Sequence, residues 1–394
     1  MASTAERYRA YTGPALFSMG FRPFFLLAAL WAAFAVPIWV AAFAGWLPAA
    51  HFDRDWHAHE MVFGYLSGVI AGFLLTAVPN WTGRLPVTGA PLAALVLLWC
   101  AGRAAMLIPG FAAAPAIDAA FIFVFAAVIA REIVAGRNVR NLPVLALLIV
   151  LGVANALSHA PFGDEALGLL GERIGIAVVA MLVALIGGRI VPSFTRNWMA
   201  KRDMKPEPAA AARFDVVTLA ASAVALAYWA AAPNAYGAGL LLTLAGALNL
   251  VRLVRWRGWR TAAEPLVLVL HAGYFWMCAG VTLMGLAVVT GGAVPAASGL
   301  HALTAGGFGV MTLAVMTRAS LGHTGQPLAA TAPISAIYVL VNLGALLRVI
   351  APLFPGAYAS VLAGSALIWG GAFVWFVAVY APLLLLRKRV SGTR

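Results

Sequence analysis

Seven histidines occur in this sequence, at positions 51, 57, 59, 159, 271, 301 and 323, most of them at the ends of long apolar runs. A polar side chain at membrane depth is costly and marks a site by default. Neutral imidazole ligates haem iron and many transition metals. In WHAHEMVFGYLSGVIAGFLLTAVPNWTGR, residues 56–84, His57, His59 and Glu60 stand at the mouth of such a run. Two residues apart, His57 and His59 point to different sides of a regular helix and so have different tasks. His59 and His301 can ligate one iron from both faces of a porphyrin, a haem b. His57, His159 and Glu60 can form a second site, metal-type or proton-handling. Copper suits imidazole, and an open position would admit a diatomic ligand. The alternative is that these groups orient His59 by hydrogen bonding. His57 and Glu60 are therefore the catalytic candidates. His51, beside Asp53, Arg54 and Asp55, reads as a solvated loop residue.

The elements that must position these side chains follow from composition. The 394 residues are 63% hydrophobic and 10% charged, with mean hydropathy +0.94. Soluble domains run nearer a quarter charged, so this is an all-α polytopic membrane protein. Runs able to cross roughly 30 Å of hydrocarbon lie near 24–46, 60–81, 90–108, 115–135, 142–160, 172–192, 214–232, 237–255, 265–290, 299–320, 332–352 and 358–386, twelve spans forming one integral membrane domain. The first twenty residues lack the apolar core and cleavage site of a signal peptide. With a cytoplasmic N-terminus, 22 of the 26 basic residues fall on the inner side, and only Arg54, Arg103, Arg173 and Arg348 on the outer. That asymmetry puts both termini in the cytoplasm. It also accounts for the net charge of +13 without nucleic acid, which needs cations gathered on one exposed face. Cys100 and Cys278 lack metal-knuckle or redox spacing and read as buried small hydrophobes.

The spans align among themselves. VPNWTGR (78–84), VPSFTRN (191–197) and ASLGHTGQ (319–326) follow the second, sixth and tenth. A shift of 242 puts Thr82 on Thr324, Gly83 on Gly325 and His59 on His301. A shift of 129 puts Arg189 on Arg318, Thr195 on Thr324 and Glu172 on His301. Pro23, Pro143 and Pro265 suit the first helical turns of three parallel four-helix repeats, 14–140, 141–260 and 261–390. Arg103 and Arg348, offset by 245, can pair with haem propionates or serve as interfacial anchors. Gly64, Gly68 and Gly72, with Gly306, Gly307 and Gly309, can admit a flat macrocycle or simply pack helices closely. On the inner side His271 and His323, with Arg189 and Arg318, can hold a second haem or metal, or close that face structurally.

The opening segment, GGRIVPSFTRNW and GGFGVMTLAVMTRASLGHTGQP together resemble signature segments of the NnrS family, over residues 14–386. The resemblance implies a twelve-span protein of the bacterial inner membrane, associated with haem, copper and resistance to nitric oxide. It places the family's histidine-bearing segments on His57, His59, His301 and His323, and its arginine segments on Arg189 and Arg318. The architecture is also analogous to the catalytic subunit of haem–copper oxidases and nitric oxide reductases, in which histidines near the outer ends of spans 2 and 10 hold a haem. That analogy stops at spans 6 and 7, which lack histidine here.

The expected function is a haem-binding membrane protein that handles nitric oxide by reduction or scavenging, an oxidoreductase in the first case. A reductase would draw electrons from a quinol or a redox protein. A transporter of copper, haem or a small metabolite is the alternative, although Asp118 is the one acidic residue near a span middle, where transporters gather polar groups. A sensor would need an output domain, and the longest loop is only about 193–213. Expected partners are nitric oxide, the bilayer, the electron donor and, as an open case, a second copy of the chain.

Overall fold

The computed structural model describes residues 11–47, 51–160 and 163–386. Arg7, Arg9, Arg387, Lys388, Arg389 and Arg394, which entered the charge asymmetry, lie outside them. The described chain is helical throughout, without strands. Its main rods are α1 (Phe21–Phe43), α2 (Arg54–Thr82), α3 (Ala90–Ala105), α4 (Ala114–Ala135), α5 (Leu142–Ser158) and α6 (Glu165–Ala200). They continue with α7 (Arg213–Ala231), α8 (Tyr236–Arg255), α9 (Pro265–Val289), α10 (Ala296–His323), α11 (Ala332–Ile350) and α12 (Tyr358–Leu385). Ten of the described helices are long and apolar enough to cross a membrane, whereas α3, at 16 residues, is shorter. Prolines open α3, α4, α5, α9 and α11, where a missing N–H leaves no hydrogen bond unmade.

Packing divides the rods into inner and outer. α6 touches both α2 and α10, α2 touches α10, and α12 runs along α1 to close the ring. Of the most apolar stretch of α2, 78% is buried, against 39% for α7 and for α12. Leu97, Val216, Val224, Leu367 and Val374 are exposed on the outer rods. An apolar exterior around a core with polar groups suits hydrocarbon as the solvent.

Each inner helix is locally unwound into a π-helical turn, at Glu60–Tyr65 in α2, Val183–Gly187 in α6 and Ala302–Phe308 in α10. Such a turn breaks the regular ladder and leaves carbonyls to be satisfied from outside. Trp99 donates to the Gly64 carbonyl, Arg252 to that of Ala184 and Trp369 to that of Ala305. The first and third turns coincide under the shift of 242. At the other end of these helices, Gly83 and Gly325 both take φ near +69°, which a side chain would strain, and both follow a threonine that bonds back four residues. In α6 Thr195 bonds back in the same way, but Arg196 stands in the glycine's place and the helix runs on to Ala200.

Candidate functional site

The start of α2 is fixed by Asp53, whose carboxylate accepts the Trp56 N–H at 2.8 Å as an N-cap. From that start, His57 and His59 leave on different sides as their spacing requires, but with tasks other than expected. His57 lies flat on Trp39 of α1, ring centroids 4.1 Å apart at 18°, and lines a cavity with His301. The cavity also takes in Arg54, Glu172, Arg348, Val36, Met61, Leu66, Phe308 and Trp369, from helices at both ends of the sequence. Its volume is about 190 Å³, and it is open at one side. Walls are mostly apolar, with the charged groups few and convergent, as in small-molecule sites. Arg54 pairs with Glu172 at 2.7 Å, and Arg348 donates to the Tyr358 hydroxyl at 3.4 Å. His301 Nδ1–H donates to the Ala297 carbonyl at 2.8 Å, which leaves Nε2 with a bare lone pair. His57 Nδ1 is buried with no hydrogen-bond partner.

His59 turns the other way, into the unit formed by α2 to α5. Its Nδ1 meets Glu60 Oε1 at 3.1 Å, and its Nε2 meets Asn155 Oδ1 at 3.0 Å and Asp118 Oδ2 at 3.1 Å. His159 Nε2 lies 3.2 Å from the same Asp118 oxygen. Arg103 pairs with both Glu60 and Asp118, its guanidinium 6.0 Å from the rings of Trp31 and Trp99. Glu60, Asp118 and Arg103 are buried together.

These positions revise several expectations. His301 shares its cavity with His57, and His59, expected opposite it, is bonded elsewhere. Glu60 and His159 do not join His57: they belong with His59. Arg103, bound to two carboxylates, does not line the cavity; Arg54 does. A Cβ on Gly64, Gly68 or Gly72 would crowd side chains of α1, α2 or α3, and on Gly306, Gly307 or Gly309 atoms of α9 or α12, so the glycine stripes pack helices rather than open the cavity. His51 is not simply solvated, because its Nε2–H donates to the Met106 carbonyl at 3.0 Å.

The four residues grouped on the inner side go to four separate partners. His271 Nε2 meets Thr195 Oγ1 at 2.8 Å, His323 packs on Phe21, Arg189 donates to Asn141 Oδ1 at 2.9 Å, and Arg318 stacks over Phe194 at 4.0 Å. The structure brings them into no common site. Sequence reading passed over Arg54, Trp39, Asn155 and the role of Asp118. A signal was present for two of these, since Asp118 and Asn155 interrupt otherwise apolar runs.

An apolar exterior, ten described helices of membrane-crossing length and buried ionic clusters between them define a multi-pass membrane protein with a histidine-lined cavity near one end. The chain belongs to the NnrS family: the family model described as NnrS protein matches residues 15–389. A search of curated proteins gives no match.

Proposed function

We propose that this protein binds a haem b in the cavity lined by His57 and His301 and handles nitric oxide there, within a bundle of twelve spans in three four-helix units. Both termini would face the cytoplasm across a bacterial inner membrane. The observation that carries the reading is His301: its Nδ1–H is tied to the Ala297 carbonyl, so the bare Nε2 is the nitrogen left for iron. Three further features of the cavity suit the group. Its walls are apolar, Arg54 and Arg348 offer guanidinium forks to propionates, and His57 Nδ1 is a buried nitrogen without a partner. Haem bound here would supply an iron able to take nitric oxide and pass electrons, which for reduction come from a quinol or a redox protein. His301 would hold the iron through Nε2. Trp39 fixes the plane of His57, which presents a donor or acceptor to the ligand space, and Phe308 and Trp369 exclude water. Nitric oxide is itself apolar enough to reach such a site through the bilayer.

The test is the absorption spectrum of the purified protein in detergent, reduced, with and without nitric oxide. Wild type should show a haem band that shifts with nitric oxide. His301→Ala should lose the haem, and His57→Ala should keep it with altered nitric oxide binding. A wild type without haem, or a haem unchanged by His301→Ala, refutes the reading.

A further inference from the structure

We infer that His59, Asp118 and His159 bind one divalent first-row transition-metal ion, in a site separate from the haem cavity and independent of the haem reading. Each offers one ligand atom, and the three atoms lie within 4.8 Å of one another. The Asp118 oxygen stands 3.1 Å from His59 Nε2 and 3.2 Å from His159 Nε2. Ligands about 2.0–2.1 Å from a tetrahedral ion are about 3.3 Å apart, close to these separations. Two imidazoles in a set of three select transition metals over calcium or magnesium, which prefer all-oxygen shells.

The proton arrangement calls for a cation at this point. Glu60, paired with Arg103, can only accept, so His59 Nδ1 carries the proton between them. In the neutral ring His59 Nε2 then points a lone pair at Asp118 Oδ2, with Asn155 Oδ1 beside it at 3.0 Å, a clash that a cation relieves, as either a metal ion or a second ring proton. Turning the Asn155 amide would give Nε2 a donor and still leave the carboxylate oxygen against it. Glu60 on the far nitrogen is the carboxylate partner that ligating histidines commonly have, fixing tautomer and ring plane.

Charge points the same way. Glu60 and Asp118, 0% and 1% exposed, share the single guanidinium of Arg103, itself 4% exposed. Two buried carboxylates against one buried cation leave net negative charge here, which favours a cation between the imidazoles. The ligands come from α2, α4 and the residue just after α5, so the site exists only when these helices have assembled.

Full-length protein, stripped with a chelator, would be titrated with Co²⁺, whose d–d bands report ligation by imidazole and carboxylate. One Co²⁺ per chain is expected. His159→Ala should abolish the bands, and Glu60→Gln should weaken binding about 10- to 100-fold. His301→Ala should leave Co²⁺ binding intact while removing haem, so the two proposals fail separately. If His159→Ala does not fold, His159→Gln, which keeps a hydrogen-bonding side chain, should show the same loss. No Co²⁺ bands in wild type would overturn the inference and leave a closed ionic cluster with an extra proton. Bands that persist in both His159 variants would overturn it equally.

Discussion

Replacing Arg103 by methionine separates the two roles this residue can have. In the structure its guanidinium is sandwiched near Trp31 and Trp99 and bonds Glu60 and Asp118, all out of contact with water. Methionine keeps much of the packing volume and removes the charge, leaving two buried carboxylates facing each other. Breaking a buried ionic cluster by removing one partner costs about 3–5 kcal/mol. At 1.4 kcal/mol per tenfold, that is about two to three and a half orders of magnitude in the folding equilibrium. Reversible unfolding in mixed detergent, followed by tryptophan fluorescence, should show this loss. Adding Asp118→Asn to Arg103→Met should recover roughly half of it, since one of the two stranded charges is then gone. Haem content per folded molecule should not change, because Arg103 is not in the cavity wall. An Arg103→Met protein within about 1 kcal/mol of wild type, or one that stays folded and selectively loses haem, would refute the argument that the residue is a charge clamp.

Other perturbations follow from the same geometry. Gly280→Ala would drive a Cβ into the Leu303 backbone, where no flexible side chain can yield, and should destabilise the α9–α10 contact by about 1–3 kcal/mol in the same unfolding assay. Thr195→Val removes the one hydrogen-bond partner of buried His271, whose Nδ1 already has none; a loss of about 1–3 kcal/mol is expected, with no change in haem content. Gly83→Ala, at φ +69°, should cost about 1–2 kcal/mol at the end of α2 without touching the cavity. For orientation, Asp203→Cys should react with an impermeant thiol reagent only from the cytoplasmic side of oriented vesicles and Thr290→Cys only from the other; the reverse pattern would invert the proposed topology.

Much of this protein was legible in its sequence because the bilayer leaves few options. Long apolar runs must become helices, since only then is every backbone group satisfied without water, and the rods follow the runs closely. The threonine and glycine pairs at the ends of α2 and α10 were legible as helix ends because left-handed backbone favours glycine at both places. Spacing also dictated that His57 and His59 diverge. Which of them meets His301 was not legible, because π-helical turns directly after His59 and His301 rotate each helix relative to a regular one, and because the cavity is built from α1, α2, α6, α10, α11 and α12 together. Likewise Arg103 and Arg348, matched in sequence, parted in the fold: two carboxylates lie within reach of Arg103, whereas Arg348 meets Tyr358 beside the cavity. Sequence determined the helices and the chemistry available at one end of them. The tertiary structure decided which side chains share a space, since that depends on helix rotation and on the charge and shape of neighbours far away in the chain.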